Sequence, residues 1–550
     1  MQRRLARVEL ATVAGLLGLA VLAPRTANAG GFEIPDNGTE ALGRGAAFTA
    51  KADDGTALQY NIAGLARQRG TRLLVDTNLW LSDYSFARAG SYPDDPNNSF
   101  TPWGKSRYPE VKDQGGVFVE PFVAASTDFG YFDRWTFAIG AFGPSSVGNR
   151  TYPASLGFAP NPARYDIIQN KPQVIFGTAA AAVRALPWLD VGVALHYVYG
   201  NIQVSSATFS DAVAHGTGAG QCANVEFQPC DARATIASTG GTVTASLGVM
   251  ARPTPNFAFG VNVRGPATLE TTGDVTTDAP RITPNAGFRP SPVTFVVKLP
   301  TVARFGARYI FMERDFERAD VELDGTYEAW GSAQDDGLHV TIPAIAADNP
   351  PPGVNLTGID FVSPHHYHDT YSVRLGGAYN VRLQDNVLTL RAGMYHDAAA
   401  SDPQYTRLDF DTLAKTAGTV GVGFKVGAFD FGLGYAEIFD SARNVDPGAL
   451  QPVNGTQHGA SVDSTGAPYP AVNAGRYTGH SRLVSLGVSV RFDVIFGARR
   501  ENKPDAQPSE PAAPLPSAEP IPAPAPAPAP PPAPAPTPAP APPEPNGGAT

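Results

Sequence analysis

From about residue 70 to residue 496, apolar residues recur at every second position. Between Tyr371 and Leu383, one face carries Tyr371, Val373, Leu375, Gly377, Tyr379, Val381 and Leu383. The other carries Ser372, Arg374, Gly376, Ala378, Asn380 and Arg382. The same period sets Phe257, Phe259, Val261 and Val263 against Ala258, Gly260, Asn262 and Arg264. It also sets Phe429, Phe431, Leu433 and Tyr435 against Asp430, Gly432, Gly434 and Ala436, and Val484, Leu486, Val488 and Val490 against Ser485, Gly487, Ser489 and Arg491. A two-residue period with one apolar face predicts half-buried β-strands. The opposing Arg, Lys, Asn and Gly suit a wet lumen better than the inner face of a soluble sandwich.

Short and long connections alternate between these segments. Short ones include Gly130–Asp133, Pro187-Trp188, Thr254–Asn256, Gln384–Asn386 and Gly427-Ala428; long ones fall near 88–114, 144–170, 211–231, 331–364 and 441–477. Short turns on one rim and long loops on the other are the plan of an outer-membrane barrel. Starts near Thr71, Gly116, Trp135, Pro172, Asp190, Ala232, Phe257, Pro292, Ala319, Tyr367, Val387, Leu413, Ala428 and Gly479 give about fourteen strands. The expected fold is therefore all-β, a transmembrane antiparallel β-barrel occupying residues 70–496. An even strand count brings both ends to the short-turn, periplasmic rim, where Phe492 and Phe496 suit an aromatic girdle.

Composition narrows the class. A mean hydropathy of −0.15 rules out a chain of many apolar helices. A net charge of −10 argues against a nucleic-acid partner. Residues 1–29 have a basic start (Arg3, Arg4, Arg7), an apolar run from Val8 to Ala23 and the small-residue site Ala27-Asn28-Ala29, the form of a secretory signal peptide. The two cysteines, Cys222 and Cys230, then meet an oxidising compartment and are expected to form a local disulfide; with no His or third Cys beside them, no metal site is expected. Residues 497–550 are dominated by Pro and Ala, with 20 of the 52 prolines of the chain between Pro504 and Pro545. They read as a disordered periplasmic tail of polyproline II character.

Residues 30–69 lack the period of two. Gly31-Phe32, Ala41-Leu42-Gly43-Arg44-Gly45-Ala46, Ala52-Asp53-Asp54-Gly55-Thr56-Ala57 and Asn61-Ile62-Ala63-Gly64-Leu65-Ala66 together resemble the start of the FadL/TodX family of outer-membrane transporters for long-chain fatty acids and aromatic hydrocarbons. Ile62 stands where the family usually has Pro. Further short matches, including Ala163-Arg164-Tyr165, Lys298-Leu299-Pro300, Tyr327–Trp330, His368–Thr370, Leu390–Gly393 and Gly475–Tyr477, follow the family's order through Phe496. The resemblance implies fourteen strands, an N-terminal plug (residues 30–69) in the lumen, and passive uptake of hydrophobic small molecules. It implies a movable gate at Gly30, Gly31 and Phe32, plug residues Asn61, Ala63 and Gly64, and lateral release at a kinked third strand, matched by Gly140, Phe142, Gly143 and Pro144. A proline cannot donate to a ladder, so Pro144 can end the pairing there.

A carboxylate leaving water needs cations or donors. Arg264, Lys298, Arg304, Arg374 and Arg391 are the candidates. His365, His366, His368 and Asp369 form a cluster that reads as a polar loop rather than a metal site. No nucleophile–base spacing and no phosphate-cradling glycine loop appears, so neither an enzyme nor a cofactor is expected. The expected partners are a hydrophobic ligand, outer-membrane lipid and lipopolysaccharide; the tail reads either as an inert spacer or as a contact to the cell wall, and the chain reads as a monomer. The alternatives are a general diffusion porin and a structural barrel anchored to the cell wall by that tail.

Overall fold

The computed structural model describes residues 37–92, 103–143, 149–157, 159–209, 231–278, 286–334, 337–350, 356–410, 413–450 and 471–496. The signal segment, Gly30, Gly31, Phe32, Pro144, Cys222, Cys230 and the 497–550 tail lie outside the described residues. The long strands are β1 (Arg72–Arg88), β2 (Val117–Thr127), β3 (Trp135–Phe142), β4 (Gln173–Leu186), β5 (Leu189–Phe209), β6 (Asp231–Thr254), β7 (Phe257–Arg264), β8 (Ala267–Asp278) and β9 (Ser291–Leu299). They continue as β10 (Val302–Glu313), β11 (Phe316–Glu328), β12 (Gly337–Ala344), β13 (Thr357–Pro364), β14 (Thr370–Leu383), β15 (Asn386–Asp397), β16 (Lys415–Val426), β17 (Phe429–Asp440) and β18 (Gly475–Arg491).

Among the described residues, β1–β7, β10, β11 and β14–β18 form a closed antiparallel barrel of fourteen strands. The ring shuts where β1 pairs with β18 from Arg72↔Arg491 to Arg88↔Gly475. Closure leaves no open edge, which a membrane demands because lipid cannot satisfy free backbone groups. Two-residue turns such as Pro187-Trp188, Arg314-Asp315 and Gln384-Asp385 share one rim. The apolar rows face outward: Val193, Leu195 and Tyr197 on β5, Phe257 to Val263 on β7, and Phe429, Phe431 and Leu433 on β17 are all exposed. Lipid is the solvent for that surface.

One side of the wall changes character partway up. The strands β7–β8 and β9–β10 form one hairpin in a single register, Arg264↔Val302 below and Ala267↔Leu299 above. It is interrupted at Gly265-Pro266 on one leg and Pro300-Thr301 on the other. Neither proline can donate to the ladder. Across this break the buried positions switch from even (Ala258, Gly260, Asn262, Arg264) to odd (Ala267, Leu269, Thr271). The chemistry inverts with them. Below, apolar residues face out; above, Thr268, Glu270, Thr272 and Asp274 face out, while Leu269, Val275, Val293, Phe295, Val297 and Leu299 are buried. The upper strands join β12 and β13 in a small extracellular sheet, β8–β9–β12–β13. The alternation shows the 331–364 stretch only as a loop, because Pro343 and Pro350–Pro352 interrupt its period.

Candidate functional site

The described N-terminal segment runs through the ring as two short helices, α1 (Thr39–Gly43) and α2 (Ala57–Tyr60), and a 3-10 turn over Ile62–Arg67. Its main anchor is a row of carboxylates at every second position on the lumen face of β11. Arg44, fully buried, donates to Asp320 and Glu322 at 2.5 and 3.1 Å. Asp324 accepts from the backbone N–H groups of Phe48 and Thr49 (2.9 and 2.8 Å), and Glu322 accepts from that of Ala50 (2.6 Å). Two strands along the wall, Arg391 of β15 pairs with Glu40 at 2.9 Å, and Glu40 also pairs with Lys51 at 3.0 Å. Burial alone would raise the Glu40 carboxyl, but the charges of Arg391, Lys51 and Arg44 outweigh it and hold it well below the usual carboxylate range.

The wall receives this segment backbone against backbone. A Cβ on Gly376 (β14) would lie 1.8 Å from the Arg44 carbonyl oxygen, and one on Gly393 (β15) would lie 2.2 Å from the Arg44 carbonyl carbon. A Cβ on Gly260 (β7) would meet the Thr49 carbonyl oxygen at 2.2 Å. No larger side chain fits these sockets without movement.

The Asn61-Ile62-Ala63-Gly64 match has a local physical reason at each position. Asn61 caps the 3-10 turn by accepting from the Ala63 N–H at 3.1 Å, while its amide donates to Thr49 O at 2.9 Å and to Val249 O of β6 at 3.1 Å. Gly64 is required because a Cβ there would lie 1.9 Å from Ala52 O. At the family's proline position, the Ile62 N–H faces Asn262 Oδ1 of β7 at 3.4 Å, a contact that proline could not make.

The third strand stands beside this segment. β3 pairs with β2 from Thr127↔Phe137 up to Phe122↔Phe142, and with β4 up to Phe142↔Phe176, whereas β2 continues along β1 as far as Val117. Gly140 faces inward, and a Cβ on it would touch Leu58 Cδ1 at 2.6 Å. The Gly143 carbonyl accepts from Asn37 Nδ2 at 2.5 Å. Phe122, Phe142 and Phe176 stack in sequence across β2, β3 and β4, with centroids 5.0 and 5.6 Å apart. His196 meets Phe176 edge-on at 5.9 Å and is held by Thr178 and Ser246, both at 2.7 Å. Outside, an apolar groove of about 600 Å³ follows the small residues Gly140, Ala141, Gly177 and Ala179.

The five basic candidates do not converge. Arg264 lies over the Phe176 ring, 5.1 Å from its centroid. Arg304 donates to Gln59 O of the inner segment at 3.0 Å, Arg391 holds Glu40, and Arg374 pairs with Asp397 at 2.8 Å. Lys298 sits between the buried Val297 and Leu299, on the other face of β9. The histidines also go separate ways: His365 to Asp409, His366 onto the Tyr405 ring at 3.7 Å, and His368 toward Asp369 O at 3.4 Å. Towards the short-turn rim, a polar cavity of about 310 Å³ opens under the inner segment between Glu40, Asp54, Asp76, Arg391 and Arg491. The β11 carboxylates and Asn37 were not foreseen as site residues; the alternation of Asp320, Glu322 and Asp324 on one face is the signal that could have found them.

A closed fourteen-stranded barrel with an apolar outer face defines an outer-membrane β-barrel protein. The chain belongs to the outer membrane protein transport family OMPP1/FadL/TodX, whose sequence pattern matches residues 20–446. Its fold is similar to that of a Pseudomonas aeruginosa FadL homologue, with a TM-score of 0.62 at 16% identity over 84% of this chain and 100% of that one. The Pseudomonas putida toluene transporter TodX gives a TM-score of 0.57 at 16% identity over 84% and 99% of the two chains. The Ralstonia pickettii toluene transporter TbuX gives 0.53 at 14% identity over 82% and 98%. No curated protein matches the chain by sequence.

Proposed function

We propose that this chain carries hydrophobic small molecules, long-chain fatty acids or aromatic hydrocarbons, passively across the outer membrane. One observation supports this reading above the others. A single apolar cluster has members in the extracellular sheet (Leu269, Phe295, Leu299, Leu338), at Trp330 and Tyr367, and beside the third strand (Leu58, Phe122, Phe142). An apolar solute gains by leaving water for apolar side chains, and that partitioning would drive the passage. Residues 30–69 act as the plug, Gly30, Gly31 and Phe32 as its movable gate, and the wall at Gly140, Phe142, Gly143 and Pro144 as the exit into lipid. Arg264, over the Phe176 ring at the end of the aromatic row, is the first basic residue to test as a carboxylate contact. The protein works as a monomer amid outer-membrane lipid and lipopolysaccharide, and its tail reaches the cell wall.

Uptake of a panel of fatty acids and aromatic hydrocarbons, with and without deletion of Gly30–Phe32, tests the reading. Altered uptake of one class names the substrate; equal uptake of every ligand defeats the gate. A large, steady conductance of the intact protein in planar bilayers would instead favour a diffusion porin. Unchanged membrane extraction after deletion of Gln507–Thr550 would remove the cell-wall contact.

A further inference from the structure

The ring shuts with two arginines side by side. Arg72 opens β1, Arg491 ends β18, and the two are direct partners across the closing pair of strands. Asp76 on β1 and Ser485 on β18 are buried on the lumen face, and the period of two puts Arg72 and Arg491 on that same face. Both line the polar cavity of about 310 Å³ under the inner segment, as does Ser489, two residues before Arg491. Like charges directly opposite each other destabilise a sheet.

The carboxylates that line this cavity are engaged elsewhere. Glu40 holds Arg391 and Lys51, and Asp53 holds Lys51 at 2.5 Å. Asp54 accepts from the Thr56 N–H at 2.8 Å, and Asp76 from the Thr39 N–H at 2.9 Å. Glu317 pairs with Arg308, and Asp430 lies 3.7 Å from Lys425. Among the described residues, no carboxylate comes within ion-pair distance of Arg72 or Arg491; Asp53, Asp54 and Asp493 act on Arg72 only from further off. Each guanidinium gives one N–H group to a main-chain carbonyl. Arg72 Nε donates to Arg69 O at 3.1 Å, and Arg491 Nη2 donates to Gly427 O at 2.6 Å. A guanidinium carries five N–H donors, so each keeps several for the cavity.

We propose that Arg72 and Arg491 form a seat for an oxyanion, a carboxylate or a phosphate, reached from the short-turn mouth of the barrel. Two planar guanidinium forks match the paired oxygens of either group, and the Ser489 hydroxyl adds a donor on the same face. An anion bound there cancels the repulsion between the arginines and bridges the first strand to the last, at the seam where the ring closes. The seat does not depend on the transport reading above, because an anion enters it from the short-turn side without crossing the barrel.

Phenylglyoxal, which modifies free guanidinium groups, tests the seat on the full-length protein in detergent. Modification of each arginine is followed by peptide mass spectrometry in sodium chloride, sodium phosphate and sodium acetate at equal ionic strength. The expected result is modification of Arg72 and Arg491 about fivefold slower in phosphate, in acetate or in both than in chloride, as for an anion at about four times its Kd. Arg289, whose side chain is 63% exposed, should react equally in all three salts. Protection by phosphate alone names a phosphate-bearing ligand, and protection by acetate alone an organic acid. Arg72→Gln should abolish the protection of Arg491. Equal rates at Arg72 and Arg491 in the three salts would overturn the seat, and so would protection of Arg491 that persists in Arg72→Gln. If that variant does not fold, the wild-type comparison decides alone.

Discussion

Arg44 and Gly376 meet backbone to backbone: a Cβ on Gly376 would lie 1.8 Å from the Arg44 carbonyl oxygen. The neighbour is main chain, so it cannot swing aside. Gly376→Ala should lower stability by about 1–3 kcal/mol through overpacking. Loss of heat resistance of the folded band on semi-denaturing gels checks this; a variant as resistant as the wild type would show that the inner segment yields at this point.

Arg44 itself is the cation for two buried carboxylates. Arg44→Ala removes the cation that Asp320 and Glu322 share, leaving Asp320 to Arg308 and Glu322 to the Ala50 and Lys51 N–H groups, and should destabilise by about 3–5 kcal/mol. Because Glu322 also grips the Ala50 and Lys51 N–H groups, the variant should also show transient conductance in planar bilayers. Silent bilayers would mean that the remaining contacts hold the segment in place.

Leu58 and Gly140 should couple. Gly140→Ala drives a methyl into Leu58 Cδ1 and Val123 O, and Leu58→Ala should cost about 2–5 kcal/mol by leaving a cavity. The double variant should be less destabilised than the two single costs together, by at least about 0.5 kcal/mol. Strict additivity in chemical denaturation would show that the two do not touch in the folded protein.

Asp54 supplies a pH dependence. Burial, helped by the charges of Glu40, Asp76 and Asp53, pushes its carboxyl up to about 8, although Thr56 donates to it. An acid that binds its proton more tightly when folded gives stability at low pH. That stability is lost progressively from its unfolded value near about 4 up to its folded value. Asp54→Asn keeps an acceptor for the Thr56 N–H and should flatten the fall in thermal midpoint between about pH 5 and about pH 8. An unchanged slope would assign the dependence to other groups.

Much of the barrel was legible because its two solvents write a period of two. The start at Phe257 and the short turns at Pro187-Trp188 and Gly427-Ala428 stand in the structure where the alternation puts them. The turn at Arg314-Asp315 was not, since it holds no glycine or proline to mark it. The lumen glycines looked like a merely polar face, yet Gly260, Gly376 and Gly393 are sockets for another part of the chain. Arg44 and Asp320 are 276 positions apart, and no local pattern links residues so distant. The extracellular sheet was misread for a related reason: the strand expected to start near Pro292 is β9 of that sheet and the barrel strand starts at Val302, because the face inverts at Pro266 and Pro300 and a rule that assumes one apolar side per strand breaks at the inversion.

That inversion also fixes a waterline. A barrel can slide along the membrane normal only as far as its outer surface stays greasy, and Glu270 and Asp274 above Val261 and Val263 forbid deeper immersion on that flank. The ring therefore floats at a set draught, and the third strand meets the same depth of acyl chain in every molecule.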